Sequence, residues 1–518
     1  MRRVLIAALA LVLVDLGMPG ANAAAPEPPP RRGGVLKAAI IGEPPTLDLH
    51  WTTAVITQQI MWHVYETLYT YDRNYSAIPM LVEGQTVGDR GRTYTFKLRH
   101  GVKFHNGKEM TSVDVVASLA RWGRISTPGK AVWRNVEGLE ARDPYTVAMY
   151  LKEPSGSLLM GLARPNSGAV IHPKEVIDAA GDGQIKDFIG TGPYRFVEHR
   201  PDRHIKLARF KDYVARTDAP DGFGGARTAY LDELLFIPVP DVAVRLAGVE
   251  TGEYHFAQLI KPDQYDRMKT MPGVTAGIIK PSAWTTAVLN HKQGPMTDKR
   301  VRQAFQAALD MEPIMAAGFG HKAFYRLDPG LLHVEQPQWH SKVGGELYDQ
   351  HNPARARQLL REAGYAGQPI RWVTTKEYDF MYKNALVARQ QLEAVGFTID
   401  LQVVDWATLV QRRNKPELWD VFSTAITFNP EPALSTAVQC AWPGWWCLDA
   451  KEQWLDALAR ETEPKRRRAI WEKIQLLFYE DVGRVKLGDY FSLQAVRSEV
   501  RGFRNTNETN LWNVWLAR

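Results

Sequence analysis

Residues 92–121, RTYTFKLRHGVKFHNGKEMTSVDVVASLAR, leave little freedom in how they can fold. Tyr94, Phe96 and Leu98 alternate with Thr95, Lys97 and Arg99, the two-residue period of a half-buried strand. His100-Gly101 can bend the chain, and Val102 and Phe104 resume the alternation. Asn106-Gly107 is a tight-turn signal, since both residues tolerate positive φ. Thr111 or Ser112 can then cap a helix with Asp114 near its positive end, and Val113, Val116, Ala117 and Ala120 share one face. The expected path is strand, turn, short strand, turn, helix. The glycines do not make a phosphate cradle, because G-x5-G-K-E has the wrong spacing and Glu109 replaces the hydroxyl that holds Mg²⁺. His100 and His105 have no Cys or carboxylate cluster beside them, so surface turn positions are expected rather than metal ligation.

A chain of 518 residues has room for about two to four domains, and 45% apolar with 23% charged residues is ordinary for a soluble globular protein. The net charge of +7 is scattered among acids. Its main run, Lys465 to Arg468, begins a helix with Ile470, Ile474, Leu477 and Phe478 on its apolar face, which reads as a solvated face and not a nucleic-acid patch. Arg2, Arg3, the apolar run 4–14 and Ala21-Asn22-Ala23 form a secretory signal, expected to be removed as residues 1–23. No cysteine near that site could carry a lipid anchor, which points to a soluble periplasmic protein. Residues 24–32, with four prolines, read as a disordered leader. In an oxidising compartment Cys440 and Cys447 are expected to form a disulfide, because two thiols would leave a zinc site short of ligands. No G-x-S-x-G, H-E-x-x-H or paired Cys-His pattern is present, so no catalytic residue, metal or cofactor is proposed.

Along the chain, 35–41 reads as a strand, 56–71 as a helix, 231–239 as a strand and 242–251 as a helix. Asp298 caps a helix with Val301, Ala304, Phe305, Ala308 and Leu309 in register. Asn352, Pro353 and Gly364 bracket another with cap, first-turn proline and terminal glycine. Strand 370–374, helix 381–395, strand 397–403 and strand 421–427 follow, an alternation that argues for a βαβ sheet.

Several of these stretches resemble family 5 extracellular solute-binding proteins, the dipeptide, oligopeptide and nickel receptors of ABC importers. Leu98, Arg99, Gly101 to Asn106, Gly107, Lys108, Thr111, Asp114 and Val115 match the family's "lR.gvkFhnGk.lta.Dv". Thr46-Leu47-Asp48, Tyr65-Glu66-Thr67-Leu68, Gly190-Thr191-Gly192-Pro193-Tyr194, the segment from Gly252 to Ala257, the helix ending at Asp310 and the helix closed by Gly364 match further motifs, so the resemblance spans nearly the whole mature chain.

The resemblance implies an α/β, two-lobed, type II periplasmic-binding fold with an extra accessory α/β domain. Lobe I would comprise 33–75, 188–290 and 488–518, the accessory domain 76–187, and lobe II 291–487, with crossings near Asn290 and Leu487. The implied function is a receptor that delivers a small molecule or short peptide to the membrane permease of an ABC importer. It would act as a monomer and without nucleic acid, and the alternative is a periplasmic enzyme or chaperone reusing the fold. In peptide-binding relatives an Asp after the last strand of lobe II holds the peptide ammonium; that position falls here on Phe428, and Glu431-Pro432 matches the acidic-Pro pair that follows. Candidate ligand-binding residues are Trp51, Tyr378, Phe428, Asn429, Trp442, Trp445 and Trp446, with core packing the competing role for each aromatic, and Lys376 and Arg371 as secondary candidates for an anionic group.

Overall fold

The computed structural model describes residues 29–52, 54–164, 167–376, 378–506 and 509–517. The signal sequence expected over 1–23 and most of the leader lie outside the described residues. Among the described residues no helix is long and apolar enough to cross a membrane.

The 92–121 segment folds along the path its sequence dictates. Strand Thr93–Leu98 buries Tyr94, Phe96 and Leu98 and pairs with Val82–Gly88 on one side and Thr146–Leu151 on the other. With Val136–Asp143 these make a four-stranded sheet. Gly107, at φ 87°, supplies the turn that only a residue free of Cβ strain adopts readily. Helix Ser112–Ile125 begins with a capping box in which Asp114 accepts the Thr111 N–H at 2.9 Å. Its inward face is Val115, Ser118, Leu119 and Trp122. Val113, expected inside, is 47% exposed. The inner stripe is thus turned from the expected one, because Asp114 itself is buried to take Lys108 and the Lys174 N–H.

The main sheet holds eleven strands and runs through both lobes. Val35–Ile40 lies between Glu233–Pro238 and Phe256–Ile260, parallel to both. Its alternation serves two cores: Leu36, Ala38 and Ile40 join the one shared with the four-stranded sheet, and Ala39 joins the other. Two long strands, Val274–Leu289 and Val485–Arg497, cross between the lobes. They pair with each other along most of their length, and at its first-lobe end Val485–Arg497 also pairs with Phe256–Ile260. The second-lobe end of Val274–Leu289 carries Val421–Thr427, followed outward by Ile370–Thr374 and Ile399–Val403, while that of Val485–Arg497 takes Tyr325–Arg326. The pairing between the two is interrupted between Ile279 and Ala283, where the outer partner of Val485–Arg497 changes from Phe256–Ile260 to Tyr325–Arg326.

Helix Pro353–Ala363 has the expected Asn352 cap and a left-handed Gly364 after it. Residues 56–71 do not make one helix. It stops at Met61, and Tyr69–Tyr71 is a strand paired with Ala77–Pro79. The carbonyls that would continue the helix are taken elsewhere: His63 O accepts Tyr194 N–H at 3.1 Å and Val64 O accepts Gly192 N–H at 2.9 Å. A Cβ on Gly190 would lie 2.2 Å from Val64 O, so the Gly-Thr-Gly turn must be glycine to press against this segment. His105 also belongs to this joint and not to the surface, since its ring bonds both Gly190 N and Gly192 O. The basic run in helix Pro464–Asp481 is likewise not wholly solvated: Arg467 is buried and pairs with Glu431 at 2.7 Å.

Candidate functional site

Parallel strands of lobe I, Val35–Ile40, Glu233–Pro238 and Phe256–Ile260, run toward lobe II, and Ile370–Thr374 and Val421–Thr427 run back toward lobe I. Carboxyl ends of parallel strands are where α/β sheets take ligands. The two sets of ends face each other across the crossing strands, which makes the space between them the candidate site.

On the lobe II side Phe428 follows directly after Val421–Thr427, its N–H donating to Ser282 O at 3.0 Å on a crossing strand. Its ring centroid lies 4.4 Å from that of Tyr75 in lobe I and 6.0 Å from His333. Asn429 O accepts from Gln336 Nε2 at 2.9 Å, and Asn429 Oδ1 accepts the Glu431 N–H. Glu431 turns away from the space: it is buried against Arg467, and burial pushes its carboxyl up while Arg467 opposes the shift.

A dense ionic cluster sits on the crossing strand itself. Asp489 is fully buried, 2.7 Å from both Arg326 Nη2 and Lys486 Nζ, with His333 Nδ1 at 3.4 Å. Burial pushes the Asp489 carboxyl up, but Lys486, His333 and Arg326 reverse this and hold it well below the usual range. Arg326 also grips Glu335 through both guanidinium Nη atoms at 2.9 Å. The acids of this region are therefore already engaged.

The seven aromatic and polar candidates do not form one wall. Trp51 (47% exposed) lies in the loop after the first strand of lobe I, and Tyr378 (41% exposed) follows Ile370–Thr374 at the inner rim of lobe II. Phe428 and Asn429 share that rim. The loop tryptophans are at the other end of lobe II: Gly444 O accepts the His291 N–H, beyond the Leu289 end of the crossing strand. There Trp446 is 1% exposed, donates to Asp481 Oδ2 at 2.8 Å and packs edge-on against Phe478. Trp445 stacks on Trp419 at 5.5 Å, and Trp442 lies by Phe422 with Arg484 and Arg413 near its ring. A disulfide joins Cys440 and Cys447 across this loop, Cα atoms 4.8 Å apart. Arg371 is bound to Asp420 at the same outer end, while Lys376 is exposed at the inner rim beside Tyr382. Among the described residues no three His, Cys, Asp or Glu side chains are placed to hold a metal ion.

Two features of the site escaped the sequence reading. Tyr75 gave a turn signal in Asp72-Arg73-Asn74, but nothing local names its partner. The Arg326–Asp489 pair joins residues far apart in sequence, with no local pattern to mark it.

Two lobes on one continuous sheet, joined by two crossing strands with strand ends facing across the gap, define a hinged solute receptor of the type II periplasmic-binding architecture. The sequence agrees: residues 76–444 match the family model for bacterial extracellular solute-binding proteins, family 5. The chain belongs to that family, and its function is that of a solute-binding receptor for an ABC importer. It is 27% identical over 486 residues, 90% of each chain, to a probable peptide ABC transporter periplasmic-binding protein of Sinorhizobium fredii. It is similar in fold to the oligopeptide-binding protein AppA of Bacillus subtilis solved with a nonapeptide, at TM-score 0.78 and 22% identity, covering 95% of this chain and 100% of that one. It is also similar to AgaA of A. tumefacien R10 in complex with agropinic acid, at TM-score 0.76 and 22% identity, covering 94% and 99%.

Proposed function

We propose that this receptor works in the periplasm and captures a solute that is not held by a free ammonium group. The observation that carries this is Phe428. An ammonium drawn into a closing cleft needs a carboxylate, since an unpaired buried charge costs several kcal/mol. The residue at the inner rim is a phenyl ring packed on Tyr75 and His333. The nearby acids, Glu431, Asp489 and Glu335, are bound to Arg467, to Lys486 with Arg326, and to Arg326. Recruiting Glu431 or Asp489 would strip a buried cation, Arg467 or Lys486, of its partner, and recruiting Glu335 would break its two-bond grip on Arg326. Structures of this fold hold solutes as different as a nonapeptide and agropinic acid, so the fold leaves the chemistry to such rim residues.

Exposed Tyr378 and Trp51 offer aromatic faces for a flat or apolar part of the solute, and Lys376 a charge for an anionic part. Closing the lobes would bury the solute, and the importer would read the closed shape, provided solute contacts favour it. Titration calorimetry with paired panels of dipeptides and their N-acetyl derivatives tests the reading. Free dipeptides should bind no better than their blocked partners. Micromolar binding of several free dipeptides, lost on acetylation, would overturn it.

A further inference from the structure

The turn that carries Tyr75 is built more firmly than a surface turn requires. Asp72 Oδ1 accepts the N–H groups of Asn74 and Ser76 at 2.8 and 2.9 Å, and Asp72 N–H donates to Ser76 O. Arg73 is tied to Asp221 at 2.6 Å, and Phe223 N–H donates to Tyr71 O. Gly222 presses so close that a Cβ there would meet the Asp72 carbonyl carbon at 2.3 Å. Within this frame Tyr75 has φ 61°, a left-handed conformation that a bulky side chain rarely adopts and that persists only where the surroundings impose it.

The strained residue makes contact across the lobes. Its ring meets Phe428 at 4.4 Å, and the adjacent Asn74 O accepts from Gln338 Nε2 of lobe II at 3.0 Å. Behind Tyr75 the rings of Tyr71 and Phe223 continue the stack into lobe I, and behind Phe428 stands His333, beside Asp489 on the crossing strand. A row of rings thus runs from the core of lobe I to the hinge.

We propose that the 72–76 turn is an interlobe latch, in which Tyr75 and Phe428 hold the lobes together without help from a solute. Phe428 then serves closure first and the solute second. A closed form populated in advance removes the cost of closing from each binding event, so the latch raises affinity for every solute by the same factor and slows release of all of them. The inference rests on the hinged-receptor reading but not on the class of solute.

The test needs no identified solute. Nitroxides are placed on Glu137 and Lys415, exposed in the accessory domain and in lobe II, and the distance between them is read by double electron–electron resonance. The full protein is measured as purified and after unfolding, dialysis and refolding to strip any solute. Stripped wild type should show mostly the short distance of the unstripped protein. Tyr75→Ala and Phe428→Ala should each shift most molecules to a longer one, and the double variant no further than either. Tyr75→Phe, which keeps the ring, should stay closed. Gly222→Ala, which disturbs the turn without touching lobe II, should open. Near-native circular dichroism shows that each variant is folded. A stripped wild type that is open while the unstripped protein is closed overturns the latch and leaves the hinged receptor standing. Equal distances in stripped wild type and Tyr75→Ala overturn the latch as well. One open distance in all samples, stripped or not, overturns both.

Discussion

Lowering the pH from 6.5 to 5 should destabilise this protein far more than its carboxylates alone would. His63 is fully buried among Trp512, Phe236 and Tyr194. Its Nε2 accepts the Leu511 N–H at 2.8 Å, so Nδ1 carries the proton and donates to Ile60 O at 3.1 Å. A second proton has no place unless the Leu511 bond breaks. Burial, together with Arg227, lowers the group to about 4. His50 and His105 are lowered to about 4 as well, each chiefly by burial. A folded value below the unfolded 6.5 means that stability is fully present above pH 6.5 and is lost as pH falls toward 4. In that window each unfolded histidine binds a proton that the folded one refuses, which costs about 1.4 kcal/mol per pH unit. From pH 6.5 to 5 that integrates to roughly 1.5 kcal/mol per histidine and about 4–5 kcal/mol for the three. Against a typical total of ~5–15 kcal/mol this is a large fraction.

Urea denaturation at half-unit pH steps measures the slope. The informative variant is His63→Gln, whose amide oxygen can still accept the Leu511 N–H but which does not titrate. It should lose about 1 kcal/mol at pH 7. Between pH 7 and pH 5 wild type should lose about 1.8 kcal/mol that the variant keeps, so the deficit should vanish and the variant should be the more stable of the two at pH 5. Parallel pH slopes for His63→Gln and wild type would refute the reasoning.

Three further outcomes follow from geometry. Arg121→Ala leaves the fully buried Asp48 carboxylate without its 2.7 Å partner, and the loss should be about 3–5 kcal/mol, read as a lower urea midpoint. Gly192→Ala forces a Cβ to within 2.5 Å of His63 O and 2.7 Å of the Val64 carbonyl carbon, so thermal melting should show a loss of several kcal/mol or no folded protein, whereas Gly101→Ala, which meets no atom within 4 Å, should lose only about 1 kcal/mol from its positive φ. The Cys440–Cys447 bridge spans a sequence separation of 7, so reduction should cost only ~2.5 kcal/mol. Thiol labelling of denatured, unreduced protein should find neither cysteine free.

What could be read from the chain was what neighbours in sequence decide. The Asn352–Gly364 helix and the Asn106-Gly107 turn rest on caps and backbone preference within a few residues, and both stand where expected. The 56–71 helix failed because its carbonyls are claimed by a turn more than 120 residues away, information no window contains. The loop tryptophans have no strand or helix face of their own, which left their partners unspecified. Trp446 went to Asp481 and Phe478, and Trp445 to Trp419, all at the outer end of lobe II. The sequence named Phe428 as a candidate but not Tyr75, the ring it meets, because a turn motif fixes a backbone and says nothing about what its side chain will reach.

The two crossing strands also set a schedule. In lobe I, residues 492–497 lie between Phe256–Ile260 and the start of Val274–Leu289, so two strands made midway through synthesis keep unpaired edges until nearly the last of the chain arrives. Unpaired edges are templates for aggregation, and long-range pairing is slow. The first lobe therefore cannot be completed until nearly the whole chain has been made. The same delay makes any product truncated before Ser492 a chain with two open edges and nothing of its own to cover them.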